Sequence, residues 1–371
     1  MSDRITVAQL VLSLELGGLE RLVVNFVSSI DRERFKIVVG CLEGPGPLAE
    51  AIESLGISIT TFNRRPGIDW RLIPMIARWL KRERAGLLHT HNAAPHFYGA
   101  LAAKLAPTRS TIHTKHGRDW PERPRKVLLN RLSTLCTDRV VTVSRDARDL
   151  AGRVEHVPAR KLRVIHNGID TDLFAPDGTG AAPATIAGIP AGATVIGTVA
   201  RLAPEKDQGS LIDAFAQLHE HHPDCYLVIA GDGPARGALA TRADSLPCRD
   251  NIVFLGTVNR VAPLLRRLSV FVLTSLSEGV PLALLEAGAS GIPAVVTDAG
   301  GNAEVVEEGV TGFVVPVGRP GLVADRIAQL LADDGLRSSM GRRARERIVS
   351  HFSLSGMTRS YEELYRECYE R

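Results

Sequence analysis

The feature that most constrains this chain is the alternation of short apolar runs with longer segments whose apolar residues recur every three or four positions. Ile5 to Val11 is such a run. A glycine-bearing stretch, Ser13 to Gly18, follows it, and then Leu19, Leu22, Val23, Phe26, Val27 and Ile30 fall at helical spacing. Lys36 to Cys41, Leu87 to His91, the segment opening at Thr111 and Ile112, Val140 to Ser144 and Leu162 to Ile165 read as further strands. Helical patterns lie over Leu48 to Leu55, Tyr98 to Leu105 and Ala147 to Val154. Parallel strands need crossover segments, which are usually helices, so the alternation predicts an α/β chain with parallel sheets.

The alternation pauses and then restarts. Phe174 to Gly192 is rich in Pro, Gly, Ala and Thr and reads as a linker or surface excursion containing a hinge. Strand patterns resume at Val195 to Val199, Tyr226 to Ala230, Ile252 to Leu255, Val270 to Leu273, Ala294 to Thr297 and Phe313 to Val315. Helices are expected over Leu211 to His219, Gly321 to Leu331 and Leu336 to His351. A length of 371 residues exceeds what one hydrophobic core usually organises. We therefore expect two doubly wound, Rossmann-like domains, 1–168 and 169–352, with the ligand crevice of the second at the carboxyl ends of its strands.

Hydrophobic residues make up 44% and charged residues 23%, as in ordinary globular proteins, and no apolar stretch approaches the ~20 residues needed to span a bilayer. Met1-Ser2-Asp3-Arg4 leads into a strand without a secretory pattern, which predicts a cytoplasmic location. Five scattered cysteines without a CxxC pair predict reduced thiols rather than a disulfide framework. The net charge of +4 divides unevenly: residues 1–168 carry +11 and residues 169–371 carry −7. Much of the positive excess lies in Arg78 to Arg84 and in Arg118 to Arg131, the latter with Arg118, Trp120, Arg123, Arg125 and Lys126. Cationic stretches with Trp and Leu suit an anionic membrane surface or an acidic acceptor, and equally a solvated helix face. No groove-reading motif accompanies them, so nucleic acid is not expected.

Glu278 and Glu286 stand eight positions apart in a segment that follows the apolar run Val270 to Leu273. A strand that turns and restarts as a helix, with Pro281 in its first turn, aims free N–H groups at a crevice where anions bind. Carboxylates beside a phosphate pocket would repel the ligand unless they faced its hydroxyls, so the combination suggests a nucleotide-sugar. Arg201 and Lys206, directly after the Val195 to Val199 strand, are placed to clamp a diphosphate: Arg as a planar fork, Lys as a point charge. Gly17 and Gly18 follow the first strand without the full GxGxxG pattern. They are either a close backbone approach to ligand or a tight turn. Gly231-Asp232-Gly233-Pro234 reads as a turn. His89, His91, His96, His113 and His116 cluster in the first domain but lack zinc-ligand spacing, so no metal is expected. His116, before Gly117, suits hydrogen bonding to a substrate or a structural role.

Taken in order, Gly17-Gly18-Leu19-Glu20, His116-Gly117, His166-Asn167-Gly168-Ile169-Asp170, the Arg201 and Lys206 pair, Gly231 to Pro234, Phe254-Leu255-Gly256, Glu278 to Glu286 and Gly300-Gly301-Asn302-Ala303-Glu304 resemble the retaining family-4 glycosyltransferases of the GT-B fold, over nearly the full length. The resemblance implies that Arg201 and Lys206 bind the donor diphosphate, Glu286 the ribose and Glu278 the transferred sugar. It further implies that backbone groups of Gly279, Val280, Pro281, Leu282 and Ala283 complete the cradle. The base would stack near Gly256 to Val258, Gly17 and Gly18 would face the diphosphate, and His116 would sit near the sugar and the developing phosphate charge. The family's last helix, matched by Ser353 to Tyr369, returns to the first domain, and Asn167-Gly168 is a hinge candidate. Retention of anomeric configuration follows from the same likeness, with no divalent metal, no cofactor, and UDP or GDP as product.

The expected activity is sugar transfer from a nucleoside-diphosphate-sugar to a hydroxyl acceptor, a lipid-linked glycan of cell-surface polysaccharide, at the inner face of the plasma membrane. Two rivals belong to other classes: a catalytically inert nucleotide-sugar-binding subunit, and a dinucleotide-dependent oxidoreductase. The first is disfavoured by the intact set of His116, Arg201, Lys206, Glu278 and Glu286, the second by the missing glycine fingerprint.

Overall fold

The computed structural model describes residues 4–117, 124–176 and 183–371. The chain forms two compact units, one of residues 1–168 with 354–371, the other of residues 169–353.

The first unit runs β1 (Ile5–Val11), α1 (Gly18–Ser29), β2 (Phe35–Cys41), α2 (Ala49–Glu53), β3 (Ile59–Thr61), α3 (Leu72–Arg82), β4 (Leu87–His91), α4 (Ala93–Ala103), β5 (Ser110–Lys115), α5 (Pro124–Leu135), β6 (Arg139–Thr142), α6 (Arg145–Arg153) and β7 (Leu162–Val164). Its seven strands are parallel in the order β3-β2-β1-β4-β5-β6-β7. The second unit runs β8 (Thr194–Val199), α7 (Gln208–His219), β9 (Cys225–Ala230), α8 (Arg236–Asp244), β10 (Ile252–Gly256), α9 (Val261–Leu265), β11 (Val270–Leu273), α10 (Leu282–Ala289), β12 (Ala294–Thr297), α11 (Asn302–Val305), β13 (Gly312–Val315), α12 (Pro320–Ala332) and α13 (Asp334–His351). Its six strands are parallel in the order β10-β9-β8-β11-β12-β13. Both units are thus Rossmann-like. Central strands β4 and β11 are buried along their whole length, as expected where helices cover both faces of a parallel sheet.

In each sheet the strand order reverses once, between β1 and β4 and between β8 and β11. The loops leaving the carboxyl ends of those strands diverge to opposite faces and open a crevice there, the usual ligand position in such sheets. Gly17 and Gly18 follow β1, Arg201 and Lys206 follow β8 and Glu278 follows β11, whereas His116 and Gly256 lie at the ends of β5 and β10.

The last helix, α14 (Leu354–Tyr369), belongs to the first unit. Tyr361 and Tyr365 pack against Phe26, with ring centroids 5.1 and 6.2 Å apart, and Tyr365 also meets Phe35 at 5.8 Å. Each fully buried ring contributes on the order of 2 kcal/mol from apolar burial, enough to fix α14 on α1.

Two expectations are corrected by packing. Trp79, in the basic stretch Arg78 to Arg84, is 3% exposed and edge-on to Phe62, so it is core rather than a membrane-facing ring; only its charged neighbours face outward. The described part of Phe174 to Gly192 is no free linker. Phe174, Ile186 and Ile189 are buried, Ala184 N donates to Pro263 O at 2.9 Å, and Arg267 donates to Pro190 O at 2.8 Å, binding the segment to the second unit.

Candidate functional site

The second unit places its candidate residues at the β8/β11 reversal. After β8 the chain makes a short 3₁₀ turn, Pro204–Lys206, and Asp207, at φ 43°, caps α7 by accepting from Ser210 N and Ser210 Oγ. Asp tolerates this left-handed conformation better than most residues. After β11, Thr274 Oγ1 donates to Asp207 O at 2.7 Å and Leu276 N donates to Glu205 O at 2.9 Å, lashing the two strand-end loops together.

That lashing brings Lys206 to Glu278. Lys206 Nζ donates to both carboxylate oxygens, at 2.6 and 2.7 Å, and Ser275 Oγ donates to Glu278 Oε1 at 2.6 Å. The Glu278 side chain is 6% exposed and that of Lys206 is 21% exposed, so the pair is largely withdrawn from water. Such a charge is tolerable only when paired and hydrogen-bonded. An ammonium has three N–H donors, and Glu278 takes two of them, leaving one for a ligand. Arg201 is different: its side chain is 65% exposed and, among the described residues, pairs only with Glu205, while its carbonyl accepts from Gln208 Nε2 at 2.9 Å. The guanidinium is therefore held loosely and can be recruited by an anion at little cost.

Pro281 is not the first helical residue. It is extended, at φ −70° and ψ 125°, and precedes α10 as its cap, with its carbonyl accepting from Leu284 N and Leu285 N. The N–H groups of Leu282 and Ala283 then point out of the first turn without an intrahelical acceptor. Glu286, half-buried one turn on, belongs to the same helix.

The sequence reading missed how much the glycine loop after β12 shapes this site. Gly300 sits at φ 58°, and a Cβ there would come within 2.0 Å of Glu278 O; Gly301 N donates to Gly279 O at 2.9 Å. Gly300 and Gly301 thus form the wall against which Glu278 and Gly279 rest. Asn302, fully buried, donates to Thr297 O at 3.0 Å, and its Oδ1 has no partner among the described residues. The signal available was the glycine pair itself, which marks a close backbone approach. Gly231 and Gly233, at φ 133° and 156°, would with a Cβ strike Ala200 O and Leu202 O, so this turn packs against the loop that carries Arg201. Gly231 N donates to Gly256 O at 2.7 Å, placing Gly256, with Val258 beyond it, at the neighbouring strand end.

In the first unit, Gly17 caps α1 in an extended conformation, and the Glu20 carboxylate occupies the space a Cβ would need. Gly17 and Gly18 thus open α1 at the carboxyl end of β1. His116, at the end of β5, is half-buried, and its Nε2 lies 2.9 Å from His91 Nδ1. The ring borders a cavity of about 520 Å³ lined also by Arg64, Asn92, Lys115, Asn130, Leu150 and Glu155. Burial holds His116 down at about 4 and His89 at about 3, so both are neutral at physiological pH. Lys115 is paired with Glu155, which also accepts from Asn130 at 2.8 Å. Arg118, Trp120 and Arg123 lie outside the described residues, and Arg125 and Lys126 are described only as part of the first turn of α5.

A fold of two Rossmann-like units, with a basic and an acidic residue paired at a strand-order reversal beside a helix N-terminus, is the GT-B architecture of glycosyltransferases. Residues 185–347 match the family described as "Glycosyl transferases group 1" and residues 16–173 that described as "Glycosyltransferase Family 4". The chain is 32% identical to the lipopolysaccharide core biosynthesis glycosyltransferase LpsE of Rhizobium meliloti, over 94% of this chain and 95% of that one. It is 27% identical to the UDP-Gal:alpha-D-GlcNAc-diphosphoundecaprenol alpha-1,3-galactosyltransferase of Escherichia coli, over 98% and 97% of the two chains. The crystal structure of Anabaena HepE in complex with UDP and glucose superposes with a TM-score of 0.85, at 22% identity, covering 98% of this chain and 100% of that one. This chain belongs to the family-4 glycosyltransferases.

Proposed function

We propose that the protein moves a hexosyl group from a nucleoside-diphosphate-sugar to a hydroxyl of a lipid-linked glycan in cell-surface polysaccharide or glycolipid assembly, with retained anomeric configuration and without a divalent metal. The observation that carries this reading is the Lys206–Glu278 pair beside the open N–H groups of Leu282 and Ala283. A diphosphate at those N–H groups takes the remaining Lys206 donor and draws in Arg201, while Glu278 and Glu286 accept from sugar and ribose hydroxyls. The main chain of Gly279 to Ala283 lines the diphosphate, and the base lies along Gly256 to Val258.

In the reaction, the acceptor oxygen bonds to the anomeric carbon as the bond from that carbon to the phosphate oxygen breaks. The departing diphosphate keeps the electron pair, and one of its oxygens takes the acceptor's proton, releasing a nucleoside diphosphate such as UDP or GDP. Arg201, Lys206 and the helix N–H groups meet the charge that develops, the kind of prepositioned electrostatic stabilisation that usually dominates such catalysis.

The names of the relatives support a carbohydrate acceptor on a lipid carrier. Among the described residues no helix is long and apolar enough to cross a membrane; on this reading the acceptor is met at a membrane surface, the inner face of the plasma membrane. On α5, Leu128, Leu132 and Leu135 are exposed at helical spacing, next to the basic stretch that begins at Arg118. A thermal-shift screen of uridine, guanosine and adenosine diphosphate sugars, followed by turnover with a lipid-linked acceptor, tests the reading. Stabilisation by none of them would refute it.

A further inference from the structure

The loop that joins β3 to α3 displays an indole on a rigid support. Trp70 is 61% exposed, and Ile68, two residues before it, is 58% exposed. The backbone around them is pinned by Asp69, which is buried. Its carboxylate accepts from Arg65 N at 3.1 Å and from Arg71 N at 3.3 Å, and it grips the Arg71 guanidinium at 2.8 and 2.6 Å. Asp69 N donates to Tyr98 Oη at 2.8 Å. The Trp70 ring stands at a steep angle to Phe97, with centroids 6.1 Å apart, so one aromatic contact orients it while most of its surface stays in water. A large ring fixed in place, beside a second exposed apolar side chain, is the mark of a contact surface.

The same loop and the helix behind it reach the 520 Å³ cavity. Arg64, early in the loop, lines that cavity, and so do Ala93 and Ala94 in the first turn of α4. Phe97 follows Ala94 by three positions on the same face of α4, so Trp70 stands beside the helix turn that walls the cavity. The charges on the cavity are already paired: Lys115 with Glu155, and Arg64 with Glu43, which accepts from Arg64 Nε at 3.1 Å. What the lining offers is hydrogen-bonding capacity from Asn92, Asn130 and these paired groups, between apolar walls that include Val127 and Leu150. A neutral ring with hydroxyls on its rim and C–H bonds on its faces fits such a lining better than a phosphate does. The loop has the same character. Among the described residues Arg64 and Arg71 are each paired with a carboxylate and only Arg65 is not, which leaves little to hold an anionic lipid surface. The C–H bonds of a pyranose face carry the partial positive charge that an indole face attracts.

We propose that Trp70 is a stacking platform for a second sugar of the acceptor, next to the sugar that occupies the cavity, so that the protein selects acceptors of at least two sugars. This rests on the functional reading above for one point, that the bound glycan is the acceptor.

An array of immobilised mono- and oligosaccharides, probed with the full-length protein in the absence of donor and lipid, tests the site by binding alone. The wild type is expected to bind a subset of the oligosaccharides. Trp70→Ala is expected to weaken that subset by about tenfold or more and to leave monosaccharides unaffected. Trp70→Phe, which keeps an aromatic face, is expected to weaken it less, and thermal melts of both variants control for folding. Equal binding by wild type and Trp70→Ala, or no glycan bound by the wild type, would overturn the proposal. So would loss of binding to phosphatidylglycerol vesicles in Trp70→Ala with glycan binding unchanged, which would make the ring a membrane contact. Donor binding is read apart: if no nucleoside-diphosphate-sugar shifts the melting temperature of the wild type while glycan binding still depends on Trp70, the transfer reading fails and the stacking site stands. In turnover, Trp70→Ala is expected to raise the acceptor KM by about tenfold with kcat and the donor KM unchanged; an unchanged acceptor KM would count against it.

Discussion

Lys206 Nζ holds both carboxylate oxygens of Glu278, at 2.6 and 2.7 Å, across 72 positions of sequence. Each residue neutralises the other in a site largely closed to water, and each keeps capacity for a ligand: one N–H on the lysine, the outer lone pairs on the glutamate. The pairing also means that neither can be altered without exposing the other.

Lys206→Ala leaves Glu278 buried with, among the described residues, Ser275 as its remaining side-chain donor. We expect turnover to fall by about a hundredfold or more, the scale found when one charge-stabilising donor is lost, together with a lower melting temperature. Initial-rate kinetics and thermal melts check both; near-wild-type turnover would contradict the role.

Arg201→Ala removes a side chain that is 65% exposed and, among the described residues, paired only with Glu205. Melting should stay within a degree or so, since exposed pairs contribute about 0–1 kcal/mol, while turnover drops about a hundredfold. Kinetics and melting measured on one preparation separate this outcome from that of Lys206→Ala.

Glu286→Gln is expected to weaken binding of the bare nucleoside diphosphate, whereas Glu278→Gln is expected to spare it and impair use of the sugar. Calorimetric titration with the nucleotide alone distinguishes them, and equal affinities in wild type and Glu286→Gln would contradict the ribose role.

Gly300→Ala places a methyl 2.0 Å from Glu278 O at a φ of 58°. The left-handed conformation alone costs about 1–2 kcal/mol, and the clash must displace the Glu278 loop. A lower melting temperature and reduced turnover should appear together; a fully active variant would mean that the loop does not hold Glu278.

Acid should destabilise the first unit. His89 and His96 are held at about 3 and His116 at about 4 by burial, and His91 and His113 are also depressed. A depressed histidine binds fewer protons folded than unfolded, so its contribution is complete above the unfolded value near 6.5 and is lost as pH falls from there toward the folded value. In that window each adds a slope of roughly 1.4 kcal/mol per pH unit. Urea midpoints at pH 7.5 and 5.5 read this, and equal midpoints would contradict neutral burial.

Much of this was legible from the chain. Strand and helix periodicity placed β1, β2, β4, β8, β9 and β11 within a residue or two, because fully buried parallel strands are continuous apolar runs. Short or amphipathic elements escaped: β3 is three residues of intermediate exposure, and in α3 the charges of Arg78 to Arg84 obscured the core role of Trp79 and Leu80. At the site, the residue types of Arg201, Lys206, Glu278 and Glu286 were readable. Their pairing was not, because it depends on the bonds from Thr274 to Asp207 and from Leu276 to Glu205, which no local pattern encodes. The histidine cluster showed the same limit: spacing revealed five histidines, whereas the partners from Gln9, Tyr361 and Tyr365 come from the two ends of the chain.

A crystal structure of the protein soaked with UDP or GDP addresses the donor site most directly. The expected result is a diphosphate within about 3 Å of Lys206 Nζ and of the Leu282 and Ala283 N–H groups, with Arg201 swung from Glu205 onto its oxygens. A diphosphate bound elsewhere, with Lys206 still held only by Glu278, would contradict it.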